Sequence, residues 1–474
     1  MPTAAGYTNV ILIVADDLGY GDLGVTGNRY LQTPFLDRLA AEGALLSQHY
    51  TGSPVSAPAR ASLFTGRYPH RVGALGDASN RGLDRIALRE TTVAELFGRA
   101  GYATGLVGKW HNGLFDRRYH PNRRGFDEFV GFLNGGMHYY NWILDANGQP
   151  LRSDGRYLTD VLTDEAVQFV ERHSREPFFL TVAYNAPHSP LQAPEQEIDV
   201  YREVGRFNEA VCRVYAMIHR MDAGIGRILE ALDRLELTAQ TLILFTSDNG
   251  PWLGDERLDD GRLLSLQRYN GPLRGMKGDV LEGGIRVPAI VRWPARLPAG
   301  RREDAMVHFC DWLPTLTAAA GILDRPDLPL DGVNVLPVLE DVSEETVSKR
   351  FWQFNRYAPV AHCNAAMRDG PWKLYWPRIP QAMARLPIDE VWYRGMFTVP
   401  HFEMPVDGSC VPRELLEPGA PQLYNLEDDP EETQDLAASH PDRVRAMQQD
   451  VEAWFEGVNA DRRACPDVWH GDLS

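Results

Sequence analysis

Two short acidic clusters carry the first chemistry this sequence could perform: Asp16-Asp17 near the start, and Ser247-Asp248-Asn249-Gly250 past the middle. Asp16, Asp17, Asp248 and Asn249 offer only hard oxygen donors, with no His or Cys inside either cluster. Such a set suits Ca2+ or Mg2+ rather than Zn2+. Adjacent carboxylates in a buried site repel one another unless a cation neutralises them. Taken separately, the same residues read as a cap ahead of a turn and as a β-turn. Basic side chains form a second group. Lys109 and His111 stand in Gly108-Lys109-Trp110-His111, His188 ends Asn185-Ala186-Pro187-His188, and Lys277 lies between glycines in Gly275-Met276-Lys277-Gly278. Their plain alternative is a solvated loop. The third feature is Val55-Ser56-Ala57-Pro58-Ala59-Arg60, where Pro58 suits the first turn of a helix. Ser56 then reads either as an N-cap or as an oxygen nucleophile at a helix terminus that stabilises anions.

These side chains need elements that bring them together. Four short apolar runs read as buried strands: Val10 to Ala15, Tyr102 to Val107, Phe178 to Ala183 and Thr241 to Thr246. Each runs into one of the polar clusters. In open α/β sheets ligands bind outside the carboxyl ends of the strands. Four strands delivering Asp, Lys, His and Asn to one edge would therefore make a metal and anion site. Helix-like patterns at Thr92 to Ala100, Asp160 to His173 and Val211 to Leu235 fall between the strands, which predicts an α/β fold. Beyond Val333 to Leu339 the chain becomes richer in Trp and Tyr, with short strand-like pieces such as Trp372 to Trp376 and a final helix over about Pro441 to Phe455. A domain boundary is expected near residue 345, separating 1–345 from a smaller 346–474 domain.

Composition narrows the function classes. The chain has 474 residues, 44% hydrophobic and 24% charged, the profile of a globular protein large enough to need no disulfide or metal staple. Its net charge of −17 disfavours nucleic acid and anionic membranes as partners. The five cysteines, Cys212, Cys310, Cys363, Cys410 and Cys465, are odd in number and widely spaced, which argues against a disulfide framework or a cysteine zinc site. No leader pattern is read in Met1 to Asn9, and no run is long enough to span a bilayer, so the expected location is cytoplasmic, or periplasmic if a leader has been removed.

In these motifs the chain resembles the type I, formylglycine-dependent sulfatases of the alkaline-phosphatase superfamily. The resemblance rests on Asp16-Asp17-Leu18-Gly19-Tyr20, Ser56-Ala57-Pro58-Ala59-Arg60 with Leu63-Phe64-Thr65-Gly66, Gly108-Lys109-Trp110-His111, Pro187-His188-Ser189-Pro190, Ser247-Asp248-Asn249-Gly250 and the Lys277 loop, in that order. Asp311-Trp312-Leu313-Pro314-Thr315 and Leu423-Tyr424-Asn425-Leu426 with Asp429-Pro430-Glu431-Glu432 extend it toward the C-terminus. It implies a mostly parallel central sheet flanked by helices, and a smaller C-terminal α+β domain that carries an antiparallel sheet and contributes to the substrate pocket.

The resemblance further implies that Ser56 is oxidised by a maturation enzyme to formylglycine, whose hydrate attacks a sulfate monoester. Most members carry cysteine at this position. A natural serine-type site is favoured here, with an engineered Cys-to-Ser change and an unmodified serine as the other readings. The implied roles are metal binding by Asp16, Asp17, Asp248 and Asn249; support of the hydrate by Arg60 and Lys109; proton removal by His111; and contact with sulfate and leaving oxygen by His188 and Lys277, His188 being the expected acid. Candidate substrate contacts are His138 and Trp142 in an aromatic, Gly-rich stretch, and Arg356 and His362 beyond the boundary. Aromatic rings with polar neighbours suit a sugar face, which points to a sulfated carbohydrate; aromatics packing between domains are the alternative. Competing functions are a phosphatase or phosphonate/phosphodiester hydrolase of the same superfamily, and an unmatured anion-binding protein.

Overall fold

The computed structural model describes residues 7–343, 346–395 and 406–471. Its centre is a ten-stranded sheet. The core of that sheet is five parallel strands in the order Thr241–Ser247, Asn9–Ala15, Phe178–Ala183, Ala103–Lys109 and Glu128–Phe132. Asn9–Ala15 is paired on both edges, with Thr241–Ser247 and Phe178–Ala183, and every one of its residues is buried. A β-branched apolar run covered on both faces is the pattern of a central parallel strand. Antiparallel strands extend both flanks, Ala289–Arg292 against Thr241–Ser247 and Ile143–Ala146 against Glu128–Phe132.

Helices cover the two faces. On one side Leu158–Arg172 and Glu209–Arg234 pack over Ile11, Ile13 and Leu180. Asn208 starts the longer helix by accepting from the Val211 N–H at 3.1 Å. On the other side Ser56–Thr65, Val93–Arg99 and Trp312–Ala319 pack over Val10, Leu12 and Val14. Thr92 and Glu95 close a reciprocal cap at the start of Val93–Arg99. The strand Glu128–Phe132 was not foreseen from the sequence, because Gly131 interrupts its apolar pattern. Gly131 is required there: a Cβ on it would lie 1.9 Å from the carbonyl oxygen of Gly108, its register partner on the neighbouring strand.

A second sheet follows, antiparallel, in the order Lys349–Gln353, Ala365–Asp369, Trp372–Trp376 and Gln422–Asn425. The helix Pro441–Arg463 covers one face through Met447 and Val451 against Leu374 and Trp376. The other face meets Tyr50, Val280 and Ile285 of the first half through Trp352 and Tyr375. At this seam Lys373 is buried between two carboxylates, 2.9 Å from Glu282 and 2.8 Å from Glu432. The expected boundary at 345 lies outside the described residues. No helix among the described residues is long and apolar enough to cross a membrane.

Candidate active site

The polar residues that follow the parallel strands converge at one edge of the sheet. Backbone bonds lock the first loops together: Asp16 N–H donates to Ala186 O at 3.0 Å and Asp248 N–H to Ala15 O at 3.1 Å. Asp17 adopts φ +65 and His111 φ +55, left-handed conformations that L residues take at a cost when the surroundings enforce them. Asp17 N–H then donates to Asp248 Oδ1 at 3.2 Å, and Asn249 Nδ2 to Asp17 Oδ1 at 2.7 Å. The Lys277 loop is held above this floor by Lys277 N–H to Pro251 O, 2.9 Å, and Gly278 N–H to Pro54 O, 2.8 Å.

Ser56 differs from the N-cap alternative. The cap position of the helix Ser56–Thr65 belongs to Val55, and Ser56 is its first residue. The Ser56 hydroxyl faces the acidic loops, 3.3 Å from Asp16 Oδ1 and 3.3 Å from Asn249 Oδ1, and accepts from Lys109 Nζ at 3.2 Å. Lys109 Nζ also binds Asp16 Oδ2 at 2.7 Å. One turn along the same helix, Arg60 grips Asp248 Oδ2 through Nε at 3.1 Å and Nη2 at 2.8 Å. Lys277 Nζ lies 2.7 Å from Asp17 Oδ2 and His188 Nε2 3.8 Å from the same oxygen. The opposite ring nitrogen, His188 Nδ1, donates to Ser189 O at 2.7 Å.

Burial and neighbouring charge set the protonation states. Burial raises the Asp16 carboxyl to about 7, Lys109 opposing it and Asp248 and Asp17 adding to it. Burial also pushes Asp248 up, but Arg60, Lys109 and Lys277 together outweigh it and hold this carboxyl below the usual range. Asp17 likewise ends low, chiefly because Lys277 overcomes burial. Lys277 is held protonated, since Asp17 outweighs the cost of burial. Burial, reinforced by Lys277, lowers His188 to about 3. Burial and Lys109 depress His111, whose two ring nitrogens have no hydrogen-bond partner among the described residues. Both imidazoles are thus neutral, and with Nδ1 carrying the proton His188 presents a lone pair at Nε2.

The donors fit a hard divalent cation. One ligand atom each from Asp16, Asp17 and His188 lies within 4.8 Å of the others, and Asn249 Oδ1 is directed at Ser56 beside them. Three buried carboxylates gathered in one place are what such an ion would neutralise. The sequence brings His188 to this sheet edge; the structure adds that a ring nitrogen comes within ligand spacing of Asp16 and Asp17.

Above the floor opens a cavity of about 680 Å3, within the range that encloses a small-molecule ligand. Asp17, His188 and Lys277 lie at its base, and Trp252, Glu256 and Arg257 form one wall. Phe354, Arg356, Met383, Arg385 and Tyr393 form another, contributed by the chain beyond residue 345. Of the four substrate-contact candidates, the structure brings Arg356 to the cavity, where it pairs with Asp77 at 2.7 Å. It does not bring the others. Trp142 is buried in the core with its indole N–H on Arg156 O at 2.9 Å, because the apolar ring gains more from the helix-covered sheet face than from water. His362 stacks on Trp376 at 4.7 Å and faces Glu452, and His138 is half-buried outside the cavity lining. Sequence reasoning missed Asp77, Glu256 and Arg385, which stand in loops and a small hairpin without a motif to mark them.

Comparison with known proteins agrees with this geometry. The sulfatase family model matches residues 8–322. Arylsulfatase H of Homo sapiens is 33% identical over 419 residues, covering 70% of this chain and 72% of that protein. N-acetylgalactosamine-6-sulfatase of Homo sapiens is 35% identical over 359 residues, covering 70% and 65%. Among solved structures, Ps i-CgsB in complex with k-i-k-neocarrahexaose is 31% identical with a TM-score of 0.80, covering 98% of this chain and 96% of that one.

Proposed function

Because the chain belongs to the sulfatase family and is a sulfuric ester hydrolase, we propose that it cleaves a sulfate monoester carried by a carbohydrate, with the nucleophile at Ser56. The observation that carries this reading is the position of the Ser56 hydroxyl among Lys109, Asp16 and Asn249, next in the chain to Val55, which lines the cavity together with Asp17, Lys277 and His188. That the solved relative Ps i-CgsB forms a complex with k-i-k-neocarrahexaose supports a carbohydrate substrate.

The family implies a metal ion and formylglycine. Asp16, Asp17, Asp248 and Asn249 would hold the ion, Ca2+ or Mg2+ by donor type, and Ser56 would carry the aldehyde hydrate. When bound, the ion would supply positive charge to an ester oxygen and lower the pKa of a nearby hydroxyl. The remaining work falls to this chain's own side chains. Lys109 Nζ fixes the oxygen borne by residue 56 and offsets negative charge beside it. Arg60 keeps Asp248 oriented. His111, neutral and without a partner among the described residues, would be the base that takes a proton from the side chain of residue 56, the role the family resemblance gives it. Lys277 Nζ offers a fixed positive charge to the sulfate. His188 Nε2 faces the same space as an acceptor, and becomes the donor to the leaving alcohol once an anion beside it raises its proton affinity.

A two-metal phosphatase reading gains less support. Among the described residues one group of Asp, Glu, His or Cys has spacing suited to a metal, Asp16, Asp17 and His188, at this same site. The test is mass spectrometry of the tryptic peptide Leu39 to Arg60, joined to sulfate release from a panel of sulfated sugars. A peptide two hydrogens lighter than its sequence, with release of sulfate, is the expected result. An unmodified peptide from protein that nonetheless releases sulfate would refute the role given to Ser56.

A further inference from the structure

The cavity that receives the sulfate has an unusual charge pattern. Most of its ionic side chains are already matched: Asp17 by Lys277, Asp77 by both Arg356 and Arg385, Glu390 by Arg385 and Arg378 by Asp279. The three hairpin residues Asp255, Glu256 and Arg257 are not: Asp255 and Arg257 are exposed, Arg257 donating to Gly261 O, and Glu256 is the half-buried one. Glu256 lines the cavity, yet among the described residues no Lys, Arg or His lies within ion-pair distance of its carboxylate. Its position is built rather than accidental. The chain leaves the Asp248-Asn249 loop, passes Trp252 and enters a hairpin in which Asp255–Arg257 pairs antiparallel with Leu263–Ser265. Alternation along the strand exposes Asp255 and Arg257 and turns Glu256 and Leu258 inward. Gln267 Nε2 to Leu253 O, 2.9 Å, and Leu266 N–H to Gly254 O, 2.9 Å, brace the hairpin against the body. Burial raises the Glu256 carboxyl; the Arg257 backbone N–H, and after it Lys277 of the sulfate site, oppose that rise.

A partly buried carboxylate without a cation is costly unless something supplies it with donors. It is also the wrong charge to place beside an anionic group, so its presence must select against some anions. We propose that Glu256 is a specificity-determining residue: it accepts a hydrogen bond from a free hydroxyl of the sugar next to the sulfate ester, and rejects substrates that carry a second sulfate there. Trp252, on the same wall, supplies the apolar surface for the ring. This rests on the reading that the substrate is a carbohydrate sulfate.

The probes are methyl galactosides monosulfated at O2, O3, O4 or O6 and the corresponding disulfates, with 4-nitrophenyl sulfate as a ligand too small to offer that hydroxyl. The wild-type enzyme is expected to favour its best monosulfate over every disulfate that contains it with a sulfated neighbour. Glu256→Ala should lower kcat/KM on that monosulfate by about tenfold to a hundredfold, the value of a hydrogen bond to a charged acceptor. Glu256→Gln, which keeps an acceptor and loses the charge, should retain most monosulfate turnover and gain at least several-fold on the disulfate. Neither change should move 4-nitrophenyl sulfate turnover by more than about twofold, given an interaction that this probe cannot make. Equal losses on all substrates, or no change in the monosulfate-to-disulfate ratio with Glu256→Gln, would overturn the proposal. If wild-type enzyme hydrolyses the aryl sulfate and no sugar sulfate, the carbohydrate reading fails and the inference falls with it. If sugars are cleaved without this discrimination, the inference alone fails.

Discussion

Lys373→Met tests the seam between the two sheets. Lys373 is buried with Glu282 at 2.9 Å and Glu432 at 2.8 Å, and Glu282 also accepts from the Tyr50 hydroxyl at 2.7 Å. Glu432 reaches back to accept from the Glu282 N–H at 2.7 Å. Burial raises the Glu432 carboxyl to about 7 against the pull of Lys373, while Lys373, Arg368 and Arg286 overcome burial and hold Glu282 at about 2. Met fills the aliphatic volume of lysine but leaves both carboxylates without their shared cation. Removing one partner of a buried ion pair costs about 3–5 kcal/mol. A chain of 474 residues has an unfolding entropy of roughly 1 kcal/mol/K, so the melting temperature should fall by about 3–5 °C at neutral pH. The drop should shrink toward pH 5, where Glu432 is protonated: a carboxyl with a raised pKa destabilises the fold as pH climbs from its unfolded value through 7, and ceases to do so below it. Calorimetry at pH 8 and pH 5 reads both effects. A shift under 1 °C at pH 8, or a larger loss at pH 5 than at pH 8, would refute the account.

Other outcomes follow from the site. Ser56→Ala should abolish turnover while moving the melting temperature by no more than about 2 °C, since a small hydroxyl is lost without a cavity; residual activity above one part in a thousand would count against Ser56. Asp17→Ala should remove the bound divalent ion, measured by elemental analysis, and chelation of the wild type should cost activity that Ca2+ or Mg2+ restores. NMR of the ligand-free enzyme should show His188 neutral with its proton on Nδ1 throughout pH 5–8, because its pKa is held near 3; a titration inside that window would refute the assignment. Trp142→Phe and His362→Ala should leave kcat/KM within about twofold, as neither side chain reaches the cavity.

The parts of the site legible in the sequence are those tied to the ends of buried strands. Asp16, Lys109 and Asp248 follow apolar runs that could hardly be anything but central strands, and the rule that ligands gather at strand carboxyl ends does the rest. The cavity walls were not legible. Asp77, Glu256 and Arg385 have neighbours in space that lie far away in sequence, and their loops carry no periodicity to fix a direction. Trp142 shows the opposite difficulty. Its aromatic surroundings suit a sugar platform as well as they suit a core, and only the helix packed above it decides. Ser56 was legible as a helix-start residue, but that Val55 takes the cap and frees its hydroxyl depends on backbone angles that residue types do not determine.

All ten residues of Ser56–Thr65 are buried, and Ser56 itself is 4% exposed. The helix is sealed by the sheet on one side and by the Lys109 and Asp248 loops at its start. Any enzyme that oxidises Ser56 must therefore act before this helix docks, on a segment still extended. Oxidation and folding would then run as competing clocks on the same newly made chain. If Ser56 is matured in this way, a molecule that folded first would be locked out of it, however stable it became, and a preparation would hold two populations alike in shape and different in competence. The fraction active would record which process was faster in the cell that made it, so slowing the closure of this helix should raise specific activity without changing a single contact in the finished site.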